Sequence, residues 1–196
     1  MTISKREANK QQCRHNILKA SRRLFKEKGY EATMIEDVAE KAEISKATLY
    51  NYFSNKESLL IGTMDEEIET LKSFINELDD ELSGYEKIRK IVEFLIVDSI
   101  IFISVSRRIM FLNACDNSPM YGKANEVKDI LVKMSEQAKL EGDFSENTSG
   151  EEIAELLMGL YLVSLFQWDD IEKLTQQECR QRVDVMLDKI LASCRS

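Results

Sequence analysis

Apolar side chains recur along the chain at intervals of three and four residues, the spacing that gathers them on one face of a helix. Ile17, Leu24 and Phe25, with the small Ser21 among them, share a face of a first helix that ends near Lys28. Ile35, Val38, Ala39 and Ala42 give a second stripe little more than two turns long, and Leu49 and Phe53 stand four apart in a third short segment. Much later, Ile153, Leu156, Leu157 and Leu160 recur at i, i+3, i+4 and i+7, as do Val183, Met186, Leu187 and Ile190.

Boundaries come from capping boxes, in which a Ser or Thr accepts the N–H of the third residue on while a Glu there reaches back to the cap. Ser4 with Glu7, Thr33 with Glu36, Ser54 with Glu57, Ser83 with Glu86, Ser149 with Glu152 and Thr175 with Glu178 all fit, and Ser118-Pro119 adds a cap followed by proline. The pattern predicts short helices over Met34–Ala42 and Lys46–Phe53 and a long one from Asn55 to about Leu82. Beyond them it predicts a run from Gly84 into the low 110s broken near Ser104–Ser106, then Pro119–Glu141, Gly150 to about Trp168, and Gln176 onward. One proline and seven glycines in 196 residues agree with an all-α fold, since turn-rich β architectures consume both.

A net charge of −8 argues at first against a nucleic-acid partner, because phosphate binding depends on Lys and Arg. The distribution reverses that reading. Residues 1–60 carry 12 Lys and Arg against 8 Asp and Glu, and the rest carry 15 against 27. The change falls inside the long fourth helix, so two domains are expected to share it as a strut. Cys13, Cys115, Cys179 and Cys194 form no CxxC pair and His15 is the sole histidine, which leaves no metal cluster of the usual ligands and suits reduced thiols. Lys5, Arg6 and Lys10 are not followed by the apolar stretch of a signal peptide. The apolar run Phe94–Val105 is interrupted by Asp98 and falls short of the roughly 20 residues a membrane helix needs. A soluble, cytoplasmic protein without membrane association or cofactor is expected. No Gly-rich phosphate loop or G-x-S-x-G elbow is present, and the one histidine lies on the basic first helix, so the sequence offers no enzyme active site.

Two helices this short cannot stand alone, and joined by a tight turn at Glu43-Ile44 and laid on a longer helix they make a helix-turn-helix. In that arrangement the second of the pair enters the major groove. With Leu49 and Phe53 inward, its outer side carries Lys46, Ala47, Tyr50 and Asn51. Lys46 suits a phosphate or a guanine edge, Ala47 permits close approach, Tyr50 suits a phosphate or a thymine methyl, and Asn51 a base edge. Thr33, Ser45 and Thr48 offer hydroxyls near helix starts, and Tyr52 and Lys56 are positioned to clamp the backbone from the other side.

The segment GYEATMIEDVAEKAEISKATLYNYFSNKESLL, Gly29 to Leu60, closely resembles the N-terminal signature of TetR/AcrR-type regulators. It departs from it at Ala47, where glycine is common, and at Asn51 and Tyr52, where Tyr and His are frequent. The resemblance implies a DNA-binding domain over 1–54 and a helical dimerisation and ligand-binding domain over 55–196. It further implies a homodimer, commonly a repressor, released from a palindromic operator when a small molecule of unknown identity changes the angle of the fourth helix. The stripes Ile153, Leu156, Leu157, Leu160 and Val183, Met186, Leu187, Ile190 suit a four-helix dimer interface, or else the subunit core. Phe94, Phe102, Met110, Phe111, Tyr121, Met158, Tyr161, Phe166 and Trp168 are a fair lining for an apolar pocket, or else ordinary packing. Arg107 and Arg108 suit an acidic ligand or a solvated face, and nothing nearby marks Cys115 as reactive. The alternative function is an architectural or partner-dependent DNA-binding protein with no small-molecule effector.

Overall fold

The computed structural model describes residues 4–195 apart from 116, 119 and 169–172. Among the described residues it is all-α: α1 (Lys5–Lys28), α2 (Ile35–Lys41), α3 (Lys46–Tyr52), α4 (Lys56–Asn76), α5 (Gly84–Ile101), α6 (Ile103–Asn113), α7 (Asn125–Leu140), α8 (Gly150–Phe166) and α9 (Gln176–Ser193). The chain divides into two compact units, Met1–Glu67 and Ile68–Ser196, with the division inside α4. No helix of the described residues is long and apolar enough to cross a membrane.

In the first unit α2 and α3 lie on α1 around Ile17, Leu18, Phe25, Val38, Leu49 and Phe53, closed by Leu59 and Leu60 at the start of α4. Full burial of each such side chain contributes about 1.5–3 kcal/mol. Together these contacts hold helices of seven residues that would not persist by themselves. Ion pairs join α1 to α4 along the outside, His15 to Glu66 at 3.0 Å and Arg22 to Glu67 at 3.4 Å.

In the second unit α5, α7, α8 and α9 surround a core that includes Ile88, Ile91, Leu131, Leu157 and Leu187. The end of α7 acts as an anchor for two other helices. Glu141 and Asp143 accept the backbone N–H groups of Gly84 (2.5 Å) and Tyr85 (3.2 Å) at the start of α5, and Glu136 accepts that of Gly150 (2.5 Å) at the start of α8. These carboxylates satisfy the orphan donors of helix N-termini, where the dipole also favours negative charge. The bonds from Gln137 and from Gly84 hold the Glu141 carboxyl below its ordinary value.

Four predicted capping boxes form as read, at Ser4, Ser83, Ser149 and Thr175. Two do not. Thr33 turns its hydroxyl back to the Gly29 carbonyl (2.8 Å), and Asp37 instead of Glu36 reaches the free N–H at Met34 (3.4 Å). At α4 the box moves one residue on, with Asn55 Oδ1 accepting from Ser58 N–H (2.7 Å). Helix α4 ends at Asn76, earlier than Leu82, and α7 begins at Asn125 because positive φ at Gly122 (74°) interrupts the expected helix; Pro119 lies outside the described residues. The break between α5 and α6 falls at Phe102, ahead of Ser104–Ser106. There Ser106 donates its hydroxyl to the freed Ser99 carbonyl (3.0 Å).

The two periodic stripes expected at a dimer interface are turned mostly inward. Ile153, Leu157, Leu160, Val183 and Leu187 are buried in the subunit's own core, and Met186 and Ile190 pack against it. Of the eight, Leu156 is exposed (47%), with Leu162 and Phe166 of α8 and Val185 of α9 also outward. The same i, i+3, i+4 spacing serves either surface, so periodicity does not distinguish an intrasubunit core from an intersubunit one.

A Cβ added at Gly84 would lie 2.6 Å from the Cα of Ala138, a backbone atom that cannot rotate aside. Gly84→Ala is therefore expected to lower the unfolding free energy by about 1–3 kcal/mol, seen as a reduced denaturant midpoint. An unchanged midpoint would mean that α5 and α7 separate without cost.

Candidate nucleic-acid interface

The corner between α2 and α3 is a Schellman motif, in which two backbone N–H groups beyond a helix end bond back to its last carbonyls. Ile44 donates to Ala39 (3.0 Å) and Glu43 to Glu40 (3.0 Å). Glu43 occupies the left-handed position at φ 56°, where glycine is the usual choice. Ser45 then caps α3, its hydroxyl accepting from Thr48 N–H (3.0 Å) and sharing a hydrogen bond with the Thr48 hydroxyl (2.8 Å).

Burial of Leu49 and Phe53 fixes how α3 is rotated. Lys46, Ala47, Tyr50 (45% exposed) and Asn51 stand on its outward side, as the spacing predicts. Such a row of small, hydroxyl, amide and cationic groups can contact the edges and phosphates of a duplex.

Three other predicted contacts are committed inside the unit. Thr33 is buried (1% exposed) and holds the corner after α1. Lys56 donates from Nζ to the carbonyls of Tyr30 (2.8 Å), Glu31 (3.0 Å) and Thr33 (3.2 Å) and sits 4.5 Å from the Tyr30 ring centroid. Three acceptors match the three protons of an ammonium, so Lys56 clasps α4 to the α1–α2 corner. Tyr52 is half-buried against α1, and its hydrogen bond with Cys13, reinforced by burial, raises the phenol above its usual value. Beside it a cleft of about 390 Å³ is lined by Glu7, Lys10, Gln11, Arg14 and Tyr52.

Glu36 did not stand out in the sequence as part of this surface. Its carboxylate, in the first turn of α2, forms an ion pair with the ammonium of Lys46 on α3. The hydrogen bond from Lys46 lowers the Glu36 carboxyl, and the same bond raises the Lys46 ammonium. The neighbouring Asp37 is lowered by Lys28 of α1, 2.9 Å away. Ten residues separate Glu36 from Lys46, and only the Schellman corner brings them together.

Of the residues expected to line a pocket, Trp168 belongs to the core of the second unit and Phe94, Met158 and Tyr161 pack against it. Phe94 stacks on Phe74 (centroids 4.5 Å apart, planes at 14°), and the Tyr161 hydroxyl meets that of Ser99 at 2.9 Å. Met110, Met158 and Phe102 are half-buried, Phe102 at the α5–α6 break. Trp168 is buried with the Arg182 guanidinium 4.2 Å from its ring centroid. Phe111, Tyr121 and Phe166 are exposed, whereas Arg107 donates Nε–H to the Leu165 carbonyl (2.6 Å) near the end of α8.

A tight corner, a rotationally fixed second helix and an outward polar row define a helix-turn-helix DNA-binding unit. Residues 17–62 match the family described as bacterial regulatory proteins, tetR family. It is 30% identical over 78 residues to the TetC protein of transposon Tn10 from Escherichia coli, covering 40% of each chain. The chain spans less than half the length of the first curated relatives it matches. It is 25% identical over 162 residues, 79% of this chain and 76% of that one, to the HTH-type transcriptional repressor KstR of Mycolicibacterium smegmatis. Thermus thermophilus FadR, a TetR-family transcriptional repressor solved in complex with lauroyl-CoA, has the same fold at a TM-score of 0.66 and 17% identity, covering 91% of this chain and 93% of that one.

Two substitutions test the scaffold of this surface. Lys56→Met keeps the aliphatic stem but removes three charged donors, and is expected to destabilise the protein by about 1.5–3 kcal/mol, seen in thermal unfolding; wild-type stability would show that the clasp carries no load. Glu43→Gly exchanges a left-handed penalty of about 1–2 kcal/mol for glycine's larger entropy loss and should stabilise by about 0.5–1 kcal/mol, seen as a higher urea midpoint.

Proposed function

We propose that this protein is a ligand-responsive transcriptional regulator, a repressor that binds a palindromic operator as a homodimer and leaves it when a small molecule binds the second unit. The observation that carries the reading is the outward row Lys46, Ala47, Tyr50 and Asn51 on a helix whose rotation is fixed by buried Leu49 and Phe53. Two copies of that helix read two half-sites about one helical turn or a multiple apart, so the partner is operator DNA with two-fold symmetry. Ser45 and Thr48 contribute their helix start to phosphates, and Lys10 and Arg14 beside Tyr52 add positive charge at the flank of the same unit.

Exposed Leu156, Leu162 and Phe166 on α8 support association of two subunits through that helix, with Val185 of α9 as a second apolar contribution. The ligand-binding domain of the reading begins near residue 55. The half-buried aromatic and sulfur-containing side chains Phe94, Met158 and Tyr161 suit an apolar effector, a class to which the acyl chain bound by the Thermus thermophilus relative belongs. The effector acts by preferring the DNA-incompetent conformation. A hundredfold loss of operator affinity requires a preference of about 2.8 kcal/mol. Helix α4, which passes through the division between the units, is the segment that carries the change.

Selection from random duplex DNA at physiological salt is expected to enrich a near-palindrome. Tyr50→Ala and Lys46→Ala should each reduce affinity for it about tenfold or more while leaving the unfolding midpoint in place. Weak, salt-sensitive binding without enrichment would favour an architectural role, and full operator binding by both variants would remove α3 from the interface.

A further inference from the structure

The ion pair between Glu36 and Lys46 lies on the surface where DNA is expected, and its inference rests on the DNA-binding reading above. Lys46 is the single basic residue of α3. The acidic groups at the start of α2 divide their work: Asp37 accepts from Lys28 and from the Met34 N–H and so closes the fold, while Glu36 reaches out to Lys46. Both side chains of the second pair remain about half exposed, 47% for Glu36 and 55% for Lys46. Exposed pairs of this kind contribute little to folding, so stability does not account for a carboxylate at this point.

A carboxylate beside the cation of a recognition helix has two consequences when a duplex approaches. On an arbitrary sequence it cancels much of the attraction between Lys46 and the phosphates, and it loses water without gaining a donor. In the major groove, however, a G·C pair presents guanine O6 and N7 as acceptors beside the cytosine N4 amino group as donor. An ammonium and a carboxylate held side by side match those groups in sign and in hydrogen-bonding sense. The pair that is neutral toward phosphates is therefore complementary to one base-pair edge.

We propose that Glu36 is a specificity-determining residue, which restrains Lys46 in the free protein and admits the recognition helix most favourably where a G·C pair offers its cytosine amino group to the carboxylate. Discrimination then comes from a group that penalises wrong sites as much as from one that rewards the right site. Adenine N6 is the other major-groove amino donor, but it stands between its two acceptors, adenine N7 and thymine O4, whereas a G·C pair sets both acceptors side by side with the donor at one end.

The test compares wild type with Glu36→Gln, a substitution that keeps shape and removes charge. Site selection from a random duplex pool is run on both, together with titrations of a random-sequence 30-bp duplex across a salt series, and thermal unfolding confirms that both are folded. The variant is expected to bind the random duplex about tenfold more tightly at low salt, with a salt slope steeper by about one phosphate contact. It should also lose a G·C preference at one position in each half-site that the wild type shows. Identical site preference and identical salt slope would overturn the assignment of Glu36. Failure of wild type and variant alike to bind any duplex would overturn the DNA-binding reading, and the selector role with it.

Discussion

Seven residues make two turns, and two turns of helix do not hold themselves together in water. Everything in the DNA-binding unit follows from that shortage. Helices α2 and α3 have too few internal hydrogen bonds to persist, so their shape is supplied by what they lie on and by how the chain enters and leaves them. Leu49 and Phe53 are buried in the unit's core, the Schellman corner at Glu43 sets the angle between the helices, and Lys56 ties the start of α4 to the carbonyls after α1. Removing any one of these leaves the outward row of α3 chemically intact but no longer aimed. The interface is thus a property of the scaffold as much as of the residues that face out.

Local chemistry explains how much of this could be read from the chain. Where a cap and its partner stand three apart and nothing else competes for either, as at Ser83 with Glu86 or Ser149 with Glu152, the box forms as written. Thr33 and Glu36 have the same spacing, yet each has a stronger suitor from elsewhere, the Gly29 carbonyl for one and the Lys46 ammonium for the other. The outward row of α3 was legible because Leu49 and Phe53 leave a short helix one way to face. The two C-terminal stripes were not assignable in the same way, since an apolar face states that it is covered and does not state by which subunit. Lys56 looked like a phosphate contact for a related reason: a lysine near a DNA-binding helix carries no local mark of the carbonyls it will meet.

Non-local capping is the largest feature of the second unit that periodicity leaves out. Glu136, Glu141 and Asp143 stand near the end of α7, where negative charge is unfavourable to that helix's own dipole. Their compensation comes from the N-termini of α5 and α8, whose free N–H groups they accept. Gly84 allows this by letting the start of α5 close on the backbone of α7 at Ala138. Part of the acidic excess beyond residue 60 is therefore internal wiring, and Lys128 with Glu151 and Glu155, or Arg89 with Asp184 and Asp188, use more of it as ion pairs between helices.

That distribution sharpens the contrast with Glu36. In the second unit carboxylates find N–H groups and cations within the chain, and the remaining negative charge repels a polyanion, which confines attraction for DNA to the basic unit. A carboxylate inside the basic unit works against the same attraction unless its partner shares the duplex-facing side. Asp37 escapes that cost by pairing with Lys28 of α1 and accepting the Met34 N–H. Glu36 meets the requirement by facing outward with Lys46, and an outward pair of opposite charges is poorly matched to a uniform row of phosphates but well matched to a base edge that carries both donor and acceptor. The sign pattern of the surface, more than its total charge, is what allows one duplex to be distinguished from another.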